Sequence, residues 1–300
     1  MKYTKRPLTF KEQANLLIDR GLEAKPFELE NFLSKVNYYR FSGYLYPFTL
    51  HKQDKFISGT TFNFVKQIYD FDTDLRLLTF SAIEVIDVTI LRTQQVEKFS
   101  TKYGAFCYTN VKNFDRAMDA GKHSEIIKSI NENLQQSKEE FVKQYREKYG
   151  EENYFPFWMV AETSSFATLS KIFQGAPKNV IVPIAKSLNL HSDFLISWLH
   201  ALSNIRNICA HHSRLWNRIL PIKPQIPPIK YHAEFYQPKP MENNRFFIIL
   251  NILVYLNKRI IKRETILEKF YELVERYPQV PLQMMGFPEN WREYPLLRDQ

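Results

Sequence analysis

The stretch Arg206-Asn207-Ile208-Cys209-Ala210-His211-His212 places a fixed cation, a neutral amide and two imidazoles within two helical turns. A guanidinium neutralises a phosphate, and an imidazole moves protons near neutral pH. These are the tools for cutting RNA without a metal: a base on the ribose 2′-hydroxyl, an acid on the leaving 5′-oxygen, and a cation for the charge gathering on phosphorus. The Arg-x4-His spacing is weak by itself, since chance gives roughly 0.4 such pairs in a chain of this composition. The surrounding residues must carry the weight.

Helical spacing from Ser192 to His212 sets Asn207 and His211 four apart on one face, with Ser192 and Asp193 as the expected N-terminal cap. Arg214, three beyond His211, is expected to join that face, and Arg218 to extend a basic stripe by one more turn. Arg206 sits off to one side within reach of the same phosphate, and Asn207 can orient the histidine or the phosphate. Leu199, Leu202 and Ile205 form an apolar face for the core or a partner. One helix supplies one strong proton-transfer group. His212, or a second His211 brought in by a two-fold dimer, would supply the other and give a bell-shaped pH profile.

Two other readings stand beside this one. Arg, Asn and His on a helix can simply satisfy buried polar groups. His191, His200, His211 and His212 could supply imidazoles to a metal, but they match no tight zinc spacing and no cysteine pair accompanies them, so no metal or cofactor is implied. Cys209 falls on a different face from His211 and reads as a small packing residue rather than a nucleophile.

The rest of the chain must position this helix. Scarce glycine (8 residues) and few alternating stretches point to an all-α fold. Thr9-Phe10-Lys11-Glu12 is a capping box, with Gly21 as the helix stop. Short helices are expected over Phe27 to Val36 and from Tyr38 to before Pro47, forming a packing module or a helix-turn-helix. Thr60 or Thr61 should cap the next helix. Apolar residues at Phe64, Ile68, Phe71, Leu75, Leu78 and Ile83, continuing through Val85, Val88 and Leu91, define one long helix or two in tandem ending by Gly104. Residues 122–148 read as one or two solvated helices, and Phe157 to Phe173 as an apolar helical segment. Val180 to Leu188 is helical with Pro183 in its opening turn.

Six prolines between Pro221 and Pro240 forbid a continuous helix there and indicate an irregular crossing or linker. Two helices close the fold, about Asn243 to Ile261 and Glu264 to Tyr277, followed by an extended proline-bearing tail. The expected units are 1–55, an N-terminal helical module; 56–220, a helical core with the Arg-x4-His motif; and 221–300, the crossing and C-terminal helices.

Composition narrows the function classes. A net charge of +9 favours polyanionic partners. Two cysteines exclude a disulfide framework and suit a reducing cytosol. The N-terminus has no apolar signal core, and the longest apolar run, Phe246 to Leu256, is too short to span a bilayer, so a membrane partner is not expected.

The segment Ile205 to Arg218 resembles the signature of the Abi-like (AbiD/AbiF type) abortive-infection proteins. Asn37-Tyr38-Tyr39-Arg40-Phe41-Ser42-Gly43-Tyr44 resembles that family's N-terminal aromatic block, and Tyr69-Asp70-Phe71-Asp72-Thr73-Asp74-Leu75-Arg76 resembles its Y-x-F-D-x-x-L-R helix. Phe157-Trp158-Met159 through Glu162, with Ser165 to Ser170, resembles its central block. Thr73 stands where a basic residue is expected and Ala167 where glycine is.

The resemblance covers about residues 7–220. It implies a HEPN-superfamily helical fold, metal-independent endoribonuclease activity at a homodimer interface, and a role as a toxin in antiphage defence. A structured non-coding RNA is an implied inhibitor. Carried over by position, Arg206 and His211 are the catalytic pair and Asn207 their adjunct. His212, Arg214, Arg218, Arg76 and Arg40 are the expected RNA contacts. Glu84, Asp87 and Arg92 would lie near the motif, tuning His211, holding Arg206 or simply facing solvent. The alternatives to catalysis are a non-catalytic RNA-binding or dimerisation module, and a DNA-binding regulator built on the N-terminal helices.

Overall fold

A computed structural model describes residues 2, 6–50, 53–150, 152–261 and 265–298. Among the described residues it is all-α apart from a two-residue antiparallel pair, β1 (Thr49–Leu50) and β2 (Lys55–Phe56), and an isolated parallel bridge between Glu23 and Thr61. Helix α1 (Phe10–Asp19) opens with the full capping box on Thr9 and Glu12. It closes at Gly21, whose φ of 94° allows Leu22 N–H to reach the Leu17 carbonyl at 3.0 Å. Pro26 starts α2 (Pro26–Leu33), and the Asn37 side chain caps α3 (Tyr38–Leu45).

Thr61 caps the long helix α4 (Phe62–Ile86). The helix then widens into a π-helical segment, Asp87–Gln94, and resumes as α5 (Gln95–Tyr103), with Gly104 at the stop. The tandem alternative is thus resolved as one continuous rod with a π insertion. Re-phasing at the insertion leaves Val88, expected on the apolar stripe, exposed.

The charged stretch is a pair, α6 (Ala120–Gln136) and α7 (Glu140–Lys148). The apolar segment after Pro156 is also two helices, α8 (Phe157–Thr163) and α9 (Phe166–Gly175), divided where the Ser165 side chain caps α9. In α10 (Lys178–Ser187) Pro183 lies in the interior rather than the opening turn; Pro177 holds the N-cap. Pro183 gives up one helical hydrogen bond there.

The motif helix is α11 (Ser192–Ala210), capped by the His191 ring rather than by Ser192. A crossing without α-helix leads to α12 (Phe246–Ile261), buried from Phe246 to Asn257, and then α13 (Thr265–Arg276). The tail is not extended. It turns twice, at Leu282–Met285 and Trp291–Glu293, and buries Met285, Trp291, Tyr294 and Leu297. Its aromatics stack on the C-terminal helices, Phe287 on Phe270 and Trp291 on Tyr271.

Helices α3, α11, α12 and α13 all pack against α4, and α9 backs α11. One buried group joins α3, α4 and the segment that follows α11. Asp72 on α4, with no access to solvent, accepts hydrogen bonds from Tyr44 Oη (2.5 Å), Arg76 Nη1 (2.5 Å) and the backbone N–H groups of Leu215 (3.1 Å) and Trp216 (2.6 Å). Burial pushes this carboxyl up, and Arg76, Tyr44 and the two amides pull it back down. Removing the carboxylate would strand a buried guanidinium and two backbone donors, a loss of about 3–5 kcal/mol. We expect Asp72→Ala to lower the urea midpoint by the equivalent of that amount, and Tyr44→Phe by about 1 kcal/mol. Equal, small losses for both would remove Asp72 from its central place.

Candidate functional site

Helix α11 ends at Ala210, one residue before the histidine pair. His211 takes the C-cap and His212 adopts the left-handed conformation with φ 54°. Ser213 N–H then reaches back to Ile208 O (2.9 Å) and His212 N–H to Cys209 O (3.0 Å), closing a Schellman turn around a residue that is not glycine. A left-handed non-glycine residue costs about 1–2 kcal/mol, and external contacts hold it. The Arg40 guanidinium of α3 donates to the His212 carbonyl. Beyond the turn, Asp72 grips Leu215 and Trp216, and the Trp216 ring lies near-parallel to those of Tyr44 and Phe48.

The turn redistributes the expected residues. Asn207 and His211 are exposed, as is His212. Arg206 is half-buried, its guanidinium 5.4 Å from the centre of the Phe80 ring. The basic stripe through Arg214 and Arg218 does not form, because the helix has ended. Arg214 is half-buried against the Tyr44–Asp72 hub, where burial pulls its guanidinium below its ordinary value. Arg218 donates to the Arg214 carbonyl at 2.6 Å. Arg76, an expected RNA contact, is only 6% exposed and ion-paired to Asp72, so it is a structural residue rather than a surface cation.

The π segment lies alongside. Arg92 donates to Asp87 Oδ2 from both Nε and Nη2 at 3.2 Å, to Ser164 O at 3.0 Å and to Ala161 O, tying the segment to α8. Asp87 Oδ1 is buried with no hydrogen-bond partner. Burial pushes the Asp87 carboxyl up, while the charges of Arg92 and Arg206 oppose the shift. Arg206 thus stacks on an aromatic face and its charge favours the ionised form of an incompletely paired carboxylate. Glu84 is exposed on α4.

Phe80 is the participant that sequence reading did not single out. Its only signal is being an apolar residue off the core stripe of α4, three residues after the exposed Leu77. Among the described residues no three His, Cys, Asp or Glu side chains are grouped to hold a metal ion.

Comparison with known proteins adds one match. A family model described as Abi-like protein aligns with residues 31–217, well over half of the chain. The chain belongs to the Abi-like family. Membership supports a role in abortive infection, and the match includes the motif helix and the turn after it, ending at Asn217. No curated relative and no solved structure matches the chain. Among the described residues no helix is long and apolar enough to cross a membrane.

Cys209 lies two residues before His211 but faces inward, and burial pushes its thiol up to about 12; Cys107 is pushed to about 12 by the same cause. A thiol reagent acts on the thiolate. At pH 8 iodoacetamide should leave both cysteines of the native Abi-like protein unmodified over a time that fully labels the urea-unfolded chain. Rapid native labelling of Cys209 would contradict its placement.

Proposed function

We propose that this Abi-like protein is a metal-independent endoribonuclease of the HEPN type, acting as the toxin of an abortive-infection response. The observation that carries the reading is the grouping of Arg206, Asn207 and His211 at one solvent-open helix end, next to His212. A phosphodiester at that end meets a guanidinium whose flat face is stabilised by Phe80.

One imidazole takes the proton of the ribose 2′-hydroxyl as the 2′-oxygen attacks phosphorus. Arg206 offsets the charge on the non-bridging oxygens, and a second imidazole protonates the 5′-oxygen as its bond to phosphorus breaks. The products are a 2′,3′-cyclic phosphate and a 5′-hydroxyl.

The second imidazole is His212 or His211 of another copy. A two-fold homodimer is supported by the exposed face of α4 beside Arg206, where Leu77 and Phe80 present apolar surface three residues apart, and by Val88, exposed on the π segment that follows. Arg40 and Arg218 border the site and supply positive charge for the flanking strand, whereas Arg214 offers little, being desolvated.

Purified protein should cut single-stranded RNA with unchanged rate in EDTA. His211→Ala should reduce the rate by about 10²-fold or more, the usual scale for removing a general acid or base, and Arg206→Ala should do the same while leaving thermal stability intact. Cleavage by both variants at the parent rate would sink the proposal. Tight RNA binding without a cyclic-phosphate product would assign the same helix end to a non-catalytic binding role.

A further inference from the structure

At the other end of α11 lies a second feature that the ribonuclease reading does not use. An open cleft of about 370 Å³ separates two walls. One wall is the α10–α11 junction, bearing Lys186, His191 and Phe194; the other is the proline-rich crossing, bearing Tyr231 and His232. With 19 residues in α11 and about 1.5 Å of rise for each, the cleft is roughly 28 Å from the histidine pair.

His232 is the informative residue. It is 5% exposed, yet it lines the cleft. Its Nδ1 is 3.1 Å from Glu234 Oε1, and a carboxylate only accepts, so Nδ1 carries a proton; in the neutral ring that tautomer leaves the lone pair on Nε2. Phe235 and Tyr255 set their rings against the imidazole at centroid distances of 6.4 and 5.8 Å. Tyr255 itself donates to the Leu188 and Asn189 carbonyls (3.1 and 3.0 Å), so the same side chain braces both walls. A buried imidazole held by a carboxylate and two rings, with one nitrogen left for a cleft ligand, is a preorganised acceptor.

The remaining chemistry defines what fits. Tyr231 is 69% exposed and offers a flat face, with the Lys230 ammonium 5.4 Å from its ring centre. Phe194 offers a second apolar surface on the opposite wall. Lys186 and His191 are exposed at the rim. The cleft thus combines aromatic surface, one hydrogen-bond acceptor inside and positive charge outside. Its volume falls in the range of small-molecule sites, roughly 300–1,000 Å³.

We propose that this cleft binds a free nucleoside phosphate. The base packs on Tyr231 and donates from an amine or ring N–H to His232 Nε2, and the phosphates lie toward Lys186. Base-on-aromatic stacking tolerates any base, which makes Tyr231 the most sensitive position to test, and an exposed one whose loss leaves the core untouched.

Fluorescently labelled ATP is titrated with the full-length protein, and unlabelled ATP, GTP, CTP and UTP are used as competitors. Saturable binding displaced by at least one mononucleotide is expected, weakened tenfold or more in each of Tyr231→Ala, Lys186→Glu and His232→Ala. Absence of saturable binding, parent-like affinity in Tyr231→Ala and Lys186→Glu, or displacement by a ten-nucleotide RNA but by no mononucleotide would each overturn the proposal. RNA cleavage is measured separately, so binding at this cleft is decided even for a protein that cuts no RNA.

Discussion

A carboxylate cut off from water holds this molecule in register. Asp72 binds a tyrosine from the N-terminal module, an arginine one turn along its own helix, and two backbone amides from the segment that follows the motif helix. Each partner alone would leave the charge under-compensated, because desolvating an ion costs several kcal/mol. Together they make it tolerable only when α3, α4 and the 213–218 segment meet in one arrangement. The interaction therefore contributes specificity as well as stability: a shift of any of the three elements would orphan a buried charge.

That constraint explains how the histidine pair comes to be presented. An α-helix continued beyond Ala210 would carry Leu215 and Trp216 away from Asp72. The chain instead reverses at His212, in a conformation that histidine tolerates better than most side chains. Arg40 secures the turn from outside and Asp72 from inside. The energetic cost at His212 is thus offset by contacts that also expose His211. Charge follows the same division. Arg76 and Arg214 face the hub, so the basicity of the helix end rests on Arg206, Arg218 and Arg40 rather than on a continuous stripe.

Much of this is legible in the residues. The capping box at Thr9, the stop at Gly21, the helix start at Thr61, the buried helix from Phe246 and the irregular proline-rich crossing all follow from local rules, because each depends on neighbours within a turn or two. The Arg-Asn-His grouping is visible for the same reason. What escapes depends on distant partners. Nothing within the 211–218 segment says that Asp72, more than a hundred residues earlier, will capture its amides and end the helix. Arg76 reads as a surface cation because its i,i+4 partner Asp72 also reads as exposable; only the packing of α3 and the 213–218 segment against α4 buries the pair. The tail reads as extended because its prolines bar helix, yet Trp291 and Tyr294 bury themselves in short turns that prolines permit.

The proline-rich crossing shows how a segment poor in N–H donors is still fixed in place. Proline offers only a carbonyl, so the surrounding helices must donate. Trp198 Nε1 on α11 donates to Gln225 O at 2.8 Å, and Asn243 donates to Pro224 O at 3.1 Å. Gln225, which retains its N–H, returns a bond to Ser197 Oγ at 2.9 Å. The crossing is thereby stapled along the flank of α11 rather than left as a tether. One rigid helix carries a polar cluster at its C-terminal end, held by Asp72, and at its N-terminal end a wall against which the crossing sets Tyr231 and His232. Two surfaces can then sit on a single element without either disturbing the buried face between them, where Trp198, Leu199, Leu202 and Ile205 pack.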